Sequence, residues 1–316
     1  MPQESAPEPP RFDSPVKLEN RGTTAQIHQQ LLWAKCTIHK QSVAAKLREA
    51  GRAQTARTLE DCHSFYTIAV CTGCGTVNKF PNRCDNFFCP ECQPRLSADR
   101  KKAVEWWTRE VQQPKHVVLT VKNIADLTKQ HVREFRGWLS RLRRTAFASN
   151  WLGGFYSLEV TNEGNGWHLH AHLLVDAKWI DAIQLSARWA RVTNGMGRIV
   201  KVKDARGHDY LKEVTKYVVK GVQLAAWSKE DICKFVDAFT GVRTFGVFGS
   251  LYGMRTEFRD WWKQVRNSKP ICKCGCCEAR YYTEAQFLEW DLVPTPQSAS
   301  LPPPVESSNQ LHLAVA

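Results

Sequence analysis

Long apolar runs and an export signal are both missing from this 316-residue sequence. No stretch of about 18 consecutive apolar residues occurs, which excludes a conventional membrane-spanning helix. The start, MPQESAPEPPRFDSP, is acidic and rich in proline, without the basic-then-apolar order of a secretory signal. We therefore expect a cytoplasmic protein with no membrane partner, in a compartment that keeps thiols reduced.

Acidic side chains are scarce relative to basic ones. The sequence contains 44 Lys and Arg but only 31 Asp and Glu, which gives a formal net charge of +13. A surface with this excess of positive charge attracts polyanions, of which nucleic acid is the usual one. The charge therefore favours a protein that binds nucleic acid.

Three histidines alternate with apolar residues in GWHLHAHLLV, residues 166–175. A β-strand would direct His168, His170 and His172 to one face and the residues between them to the other. A single histidine in a strand is usually an ordinary hydrogen-bonded residue. Three adjacent imidazoles cost desolvation and, at low pH, mutual repulsion. A metal ion is the simplest compensation, so the pattern predicts a metal-binding strand.

The segment before the histidines supplies a carboxylate. GGFYSLEVT, residues 153–161, is predicted to be a strand, and the NEGNG that follows has the composition of a tight turn. The two strands should form an antiparallel hairpin in which Glu159 lies opposite the histidines. Glu159 could complete a site of two histidines and one carboxylate, the alternative being an exposed strand glutamate.

Twelve cysteines are present, and their spacing predicts metal ligands rather than disulfides. Cys71-x2-Cys74 and Cys89-x2-Cys92 have the spacing of the two knuckles of a zinc ribbon. Cys84 lies between the knuckles as a fifth candidate. Because four thiolates close a tetrahedral structural zinc site, one of the five is spare, and the spacing does not identify it.

A second group of reactive side chains occurs in HDYLKEVTKYVVKG, residues 208–221, which is predicted to be a helix. Glu213, Tyr217 and Lys220 are spaced i, i+4 and i+7, so they share one stripe of that helix. Alone, such a stripe would be a surface ion pair beside a half-buried tyrosine. Beside a metal site it suggests a reaction centre. Tyr210 is two turns earlier on nearly the same face and is a rival nucleophile.

Three segments, taken in this order, resemble the motifs of the rolling-circle replication initiators of small plasmids and phages, which are HUH endonucleases. HVVLTV at 116–121 is similar to the first motif, a buried strand ending in Leu-Thr. WHLHAHLLV at 167–175 is similar to the second, the metal-binding strand, and EVTKYVVK at 213–220 is similar to the third. RCDNFFCPEC at 83–92 resembles a zinc element that precedes the first motif in many such initiators.

The resemblance implies a role for each matching residue. His170 and His172 correspond to the metal-binding pair, although Ala171 is small for the hydrophobic position between them. Tyr217 corresponds to the nucleophile, with Lys220 stabilising the phosphate or the phenolate. Glu213 resembles a glutamate that activates water or a hydroxyl to end replication. A mixed nitrogen and oxygen donor set suits Mg²⁺ or Mn²⁺ at this site, with Zn²⁺ at the cysteines.

The resemblance also implies a fold, a reaction and partners. The fold would be α+β, a central antiparallel β-sheet with helices on one face (HUH, ferredoxin-like), with a zinc-ribbon insertion and extra helices. The reaction would nick one DNA strand at an origin, joining the tyrosine to the 5′ phosphate and freeing a 3′ hydroxyl as primer. The partners would be single-stranded or hairpin origin DNA and the host helicase and polymerase.

Composition and motifs together divide the chain. Ends rich in proline and serine predict disorder. The four cysteines of CKCGCC could bind a second metal, although they are spaced more tightly than in an ordinary ribbon. The predicted division is a disordered tail at 1–20, helices at 21–63, a zinc-binding element at 64–95, an HUH endonuclease domain at 96–268, the Cys272–Cys277 cluster with a helix at 269–291, and a second disordered tail at 292–316.

Alternatives remain open on these data. Tyr217 could act with Glu213, or Tyr210 and Tyr217 could alternate as nucleophiles. A rolling-circle transposase would use the same chemistry on different DNA ends. A non-enzymatic zinc-ribbon protein would explain the charge and the cysteines but not the histidine strand. An iron oxygenase with two histidines and one carboxylate would leave the charge unexplained.

Overall fold

The structure is a computed structural model that describes residues 24–206 and 221–267, together with Thr215, Cys274, 279–283 and Ala285. Over these residues the chain forms an α+β fold with two antiparallel sheets, one of five strands and one of three. The predicted fold class is therefore confirmed. The predicted tails at 1–20 and 292–316 lie outside the described residues, as does most of the predicted helix at 208–221.

Eight strands build the two sheets among the described residues. The three-stranded sheet has the order β2-β1-β8, and the five-stranded sheet has the order β6-β3-β5-β4-β7, with the histidine strand β5 at its centre. All neighbouring strands in both sheets are antiparallel. The strands are β1 (Tyr66–Cys71), β2 (Val77–Pro81), β3 (Pro114–Thr120), β4 (Gly153–Asn162), β5 (Trp167–Asp176), β6 (Val200–Asp204), β7 (Phe245–Gly249) and β8 (Ala279–Thr283).

The described part of the chain also contains nine α-helices. Two single 3-10 turns, at Thr108–Glu110 and Ala146–Ala148, complete the regular structure there. None of these helices is both long enough and apolar enough to cross a membrane. The helices are α1 (Thr24–Glu49), α2 (Ala53–Glu60), α3 (Gln93–Trp107), α4 (Lys129–Arg143), α5 (Ala182–Val192), α6 (Gly221–Ala226), α7 (Lys229–Phe239), α8 (Ser250–Gly253) and α9 (Arg255–Asn267).

The predicted hairpin of β4 and β5 is present, and it fixes which side chains face each other. Ten residue pairs join the two strands, among them Glu159 opposite His170. The turn between the strands needs glycine at Gly166, because its φ is +86° and a Cβ there would lie 2.7 Å from the carbonyl oxygen of Ile124. The turn therefore fixes the register of β4 and β5, and this register places Glu159 opposite His170.

The face of the sheet opposite the histidines is apolar and is covered by helices. Leu169, Ala171 and Leu173 of β5 are buried there. The core-facing stripe of α4 packs in the same cluster, as do Leu185 and Trp189 of α5. Burial of this face holds the sheet in one orientation, because a shift of one residue would send the histidines inward.

Among the described residues, helices cover the histidine face at one end. Beyond His172 this face carries Phe155 and Leu174, which are buried in a second apolar cluster with Trp107 of α3. Phe258 of α9 packs against Trp107, with 4.5 Å between the ring centroids and 36° between the ring planes. Helices thus cover more of the sheet than the expected single face, because the apolar end of the histidine face also needs cover. The other end is open in the part of the chain that the structure describes.

The buried strand positions should contribute stability that exposed ones do not. We expect Leu158→Ala to lower the free energy of unfolding by about 2–5 kcal/mol, because Leu158 is fully buried and truncation leaves a cavity. Leu152→Ala is the matched control, since Leu152 is 63 % exposed and the same truncation there should cost less than about 0.5 kcal/mol. Urea denaturation of both variants measures the difference, and equal losses would contradict the orientation of β4.

Candidate functional site

Strands β4 and β5 bring one carboxylate and two imidazoles together. Oε2 of Glu159 lies 2.9 Å from Nε2 of His170 and 3.1 Å from Nε2 of His172. The ligand atoms of the three residues all lie within 4.8 Å of one another. The three residues predicted to share an ion are therefore adjacent, with their donor atoms converging on one point.

The donor set fits a divalent ion. Two ligands at right angles around a metal, each at about 2.1 Å, are about 3.0 Å apart. The distances from Glu159 to the two imidazoles have this value, which a pair of hydrogen bonds to one oxygen would also give. The convergence of two neutral nitrogens and one carboxylate leaves further coordination positions open to water or substrate. The three residues could hold an ion of this kind.

The carboxylate of Glu159 is ionised at neutral pH. Burial alone would raise its pKa, but hydrogen bonds from His170 and His172 outweigh this and hold the pKa well below its usual range. The residue is only 6 % exposed, and its Oε2 contacts both imidazoles. A buried carboxylate of this kind is poised to accept a cation.

His116 was not among the predicted site residues, yet it contacts the group directly. Its Nε2 lies 3.2 Å from Nδ1 of His172, and the two rings stack at 11° with centroids 5.4 Å apart. A partner on the outer nitrogen of a metal-binding histidine orients the ring and selects its tautomer. The alternation in HVVLTV could have revealed His116, since it places His116, Val118 and Thr120 on one face of the strand.

His168 does not join this group, which corrects the prediction that included it. Its Nδ1 lies 2.7 Å from Oδ1 of Asn123, and its ring centroid is 5.5 Å from that of His170. Burial and the neighbouring His170 both lower the pKa of His168. The reason is strand geometry. His168 and His172 are four residues apart, so their Cα atoms are separated by about 13 Å, and the two imidazoles cannot both reach an ion that Glu159 holds.

An open groove of about 390 Å³ lies over the three residues. Lys201 and Lys203 of β6 project into it from the far edge of the sheet, and both are exposed. Neither ammonium forms an ion pair with a carboxylate in the part of the chain that the structure describes. The groove is lined by His116, Val118, Thr120, Glu159, Thr161, His168, His170, His172, Lys201 and Lys203.

The predicted reaction residues Tyr210, Glu213, Tyr217 and Lys220 lie outside the described residues. Thr215, which is between Glu213 and Tyr217 in the sequence, is described and is 3 % exposed. Its carbonyl oxygen accepts a hydrogen bond of 3.1 Å from the hydroxyl of Ser97 in α3, the helix that covers one end of the histidine face.

Four cysteines form a compact cluster that could hold a metal such as zinc. Cys62, Cys84, Cys89 and Cys92 have all their sulfurs within 4.8 Å of one another. The Sγ–Sγ distances are 3.5 Å for Cys62–Cys92, 3.8 Å for Cys84–Cys92 and 3.7 Å for Cys62–Cys89. Four thiolates at about 2.3 Å from a tetrahedral zinc would be about 3.8 Å apart, whereas a disulfide needs about 2.05 Å. The cluster has the dimensions of a four-thiolate zinc site.

The membership of this cluster corrects the prediction. Cys84, Cys89 and Cys92 belong to it, but the fourth member is Cys62 rather than a residue of the Cys71-x2-Cys74 knuckle. Cys71 ends β1, so its knuckle lies at the end of the small sheet. Spacing could not reveal Cys62, because it is not part of a pair and reaches the cluster only through the packing of α2.

The N-terminal helix α1 is tied to the four-cysteine cluster by buried polar contacts. Lys40 donates a hydrogen bond of 2.6 Å to the carbonyl oxygen of Cys62 and forms an ion pair of 3.0 Å with Glu91. Thr37 donates to the same carboxylate at 2.7 Å. Glu91 lies between Cys89 and Cys92 in the sequence, so α1 braces the knuckle from outside.

Comparisons with family models, curated proteins and solved structures found no match to this chain.

Removing the carboxylate should remove metal binding. We expect Glu159→Gln to weaken the binding of Mn²⁺ by more than the about 10–100-fold loss that is typical of an outer-shell partner. Glu163→Gln is the matched control, because Glu163 is exposed in the β4–β5 turn and should leave the affinity unchanged. Titration calorimetry with Mn²⁺ measures both, and wild-type affinity in Glu159→Gln would refute the assigned site.

The two additional histidines should differ in their effect on the ion. We expect His116→Phe to weaken Mn²⁺ binding about 10–100-fold, since phenylalanine keeps the stacked ring but cannot hold Nδ1 of His172. His168→Phe should leave the affinity close to wild type, because His168 is outside the ligand group. The same titration checks both, and the opposite ranking would mean that His168 is the ligand.

Proposed function

We propose that this chain is a replication initiator that nicks one strand of an origin for rolling-circle replication. One observation carries the proposal: Glu159, His170 and His172 converge at the floor of an open groove whose far edge carries two exposed lysines. A metal-binding triad beside exposed positive charge suits a phosphodiester, which brings its own negative charge.

The residues in the groove would have two different roles in binding the substrate. Glu159, His170 and His172 would hold Mg²⁺ or Mn²⁺, which supplies charge neutralisation and orientation of the scissile phosphate. Lys201 and Lys203 would contact phosphates next to the cleaved one, because ammonium groups bind a DNA backbone without reading its sequence. The groove is open along the sheet, so a single strand could lie across it.

Tyr217 is the proposed nucleophile. Its phenol oxygen would form a bond to phosphorus as the bond to the 3′ oxygen breaks, and the 3′ hydroxyl leaves with a proton. Lys220 would stabilise the phenolate or the phosphate, and Glu213 would activate the water or hydroxyl that ends replication. Thr215 is buried and accepts a hydrogen bond from Ser97, so the chain two residues before Tyr217 contacts α3, a helix that packs on the same face of the sheet as the triad.

The partners follow from this chemistry. Origin DNA would enter as a single strand or an extruded hairpin, and the freed 3′ hydroxyl would serve a host polymerase behind a host helicase. The cluster of Cys62, Cys84, Cys89 and Cys92 would hold a structural zinc, because four thiolates leave no position for a substrate. This activity belongs in the cytoplasm.

Other functions predict different behaviour of the same groove. A rolling-circle transposase would join the DNA end to a second strand rather than leave a primer. A non-enzymatic zinc-ribbon protein would bind DNA without cutting it. An iron oxygenase would also use two histidines and a carboxylate, but its usual small substrates give no reason for the exposed lysines.

Formation of a covalent DNA adduct tests the proposal. The purified full chain is mixed with random-sequence single-stranded oligonucleotides labelled at the 3′ end, with Mn²⁺ or with EDTA. We expect a labelled protein band on a denaturing gel with Mn²⁺ only, lost in Tyr217→Phe because the attacking oxygen is missing. Tyr210→Phe is the matched control and should retain the band.

Each departure from this result has a meaning. An adduct that persists in Tyr217→Phe but disappears in Tyr210→Phe would make Tyr210 the nucleophile. Loss of the adduct in both variants would favour Tyr210 and Tyr217 as alternating nucleophiles. DNA binding by the wild-type chain without any adduct would contradict the enzyme and leave the non-enzymatic alternative. Iron-dependent consumption of oxygen would favour the oxygenase.

A further inference from the structure

The knuckle that the four-cysteine cluster leaves out has a partner of its own. Cys71 and Cys74 lie beside Cys274, and the sulfurs of all three are within 4.8 Å of one another. We propose that Cys71, Cys74 and Cys274 bind a second zinc ion, separate from the one at Cys62, Cys84, Cys89 and Cys92. This inference does not depend on the proposed nicking activity.

The distances between the sulfurs support a metal rather than a disulfide. The Sγ atoms of Cys71 and Cys274 are 3.7 Å apart, close to the about 3.8 Å expected between two thiolates on a tetrahedral zinc. A disulfide between them would require about 2.05 Å. This distance falls within the 3.5 to 3.8 Å found between sulfurs of the four-cysteine cluster.

The backbone of the knuckle is also shaped like the one in the four-cysteine cluster. The amide of Gly75 donates to the carbonyl of Cys71 at 3.0 Å, and the amide of Gln93 donates to the carbonyl of Cys89 at 3.0 Å. Gly75 has a φ of +69°, which permits this tight turn. Each turn thus places two cysteines three residues apart on one side of the chain, as zinc knuckles do.

A bound zinc ion would stabilise the small sheet. Among the described residues, its buried apolar cluster consists of Ile68, Val70 and Tyr282, far fewer side chains than a separate sheet requires for stability. Cys71 pairs directly with Ala279 of β8, and Cys274 precedes that strand. A zinc ion between β1 and the segment before β8 would hold together two parts of the chain that are 203 residues apart.

Zinc content measured on the full-length chain tests the inference. We expect Cys74→Ser and Cys274→Ser each to contain one zinc per chain fewer than the wild type, because each removes a ligand from the second ion. The double variant should lose no more than either single variant, since both residues serve one site. Cys233→Ser is the matched control, because Cys233 lies in α7 outside both groups, and should lose none.

Two further measurements make the result decisive. Cys74 and Cys274 are exposed, so the variants should fold, and unchanged Mn²⁺ binding at Glu159 would verify this. After substitution by Co²⁺, the thiolate-to-cobalt absorption should fall in both variants but not in Cys233→Ser. Wild-type zinc content in Cys74→Ser or in Cys274→Ser, iron in place of zinc, or a Cys71–Cys274 disulfide with no second zinc would overturn the proposal.

Discussion

The pairing of Glu159 with His170 across the β4–β5 hairpin is the constraint on which the candidate active site depends. In an antiparallel pair, directly opposed side chains are close enough to share a ligand. The tight turn at Gly166 and the buried leucines on the opposite face hold this register, since a slip by one residue would bury the imidazoles and expose the core. The chemistry of the groove therefore depends on the packing behind it.

The two ends of the histidine face have different roles. One end carries Phe155 and Leu174 under α3 and α9, and it belongs to the core. The other end carries Glu159 and the imidazoles in an open groove bordered by lysines. Aromatic cover at one end stabilises the sheet without filling the groove, so the polar groups keep access to solvent.

Local patterns predicted the hairpin, because alternation and turn composition act over neighbouring residues, whereas the fold class was implied by the family resemblance. They placed Glu159, His170 and His172 together for the same reason. The identity of the cysteine partners could not be predicted in this way. Cys62 and Cys274 are far from the residues that they meet, and only tertiary packing brings them there. The prediction that His168 is a metal ligand was wrong, because alternation shows which face of a strand a side chain occupies but not whether it can reach the ion.

The pairing of β1 with β8 has a consequence for how the protein forms during its synthesis. The chain leaves the ribosome from the N-terminus onward, and its early parts fold first. All five strands of the large sheet, β3 to β7, emerge before β8 does. The edge of β1 that receives β8 therefore waits until most of the chain has been translated. The small sheet is completed last, after the large sheet with the candidate metal site has been assembled.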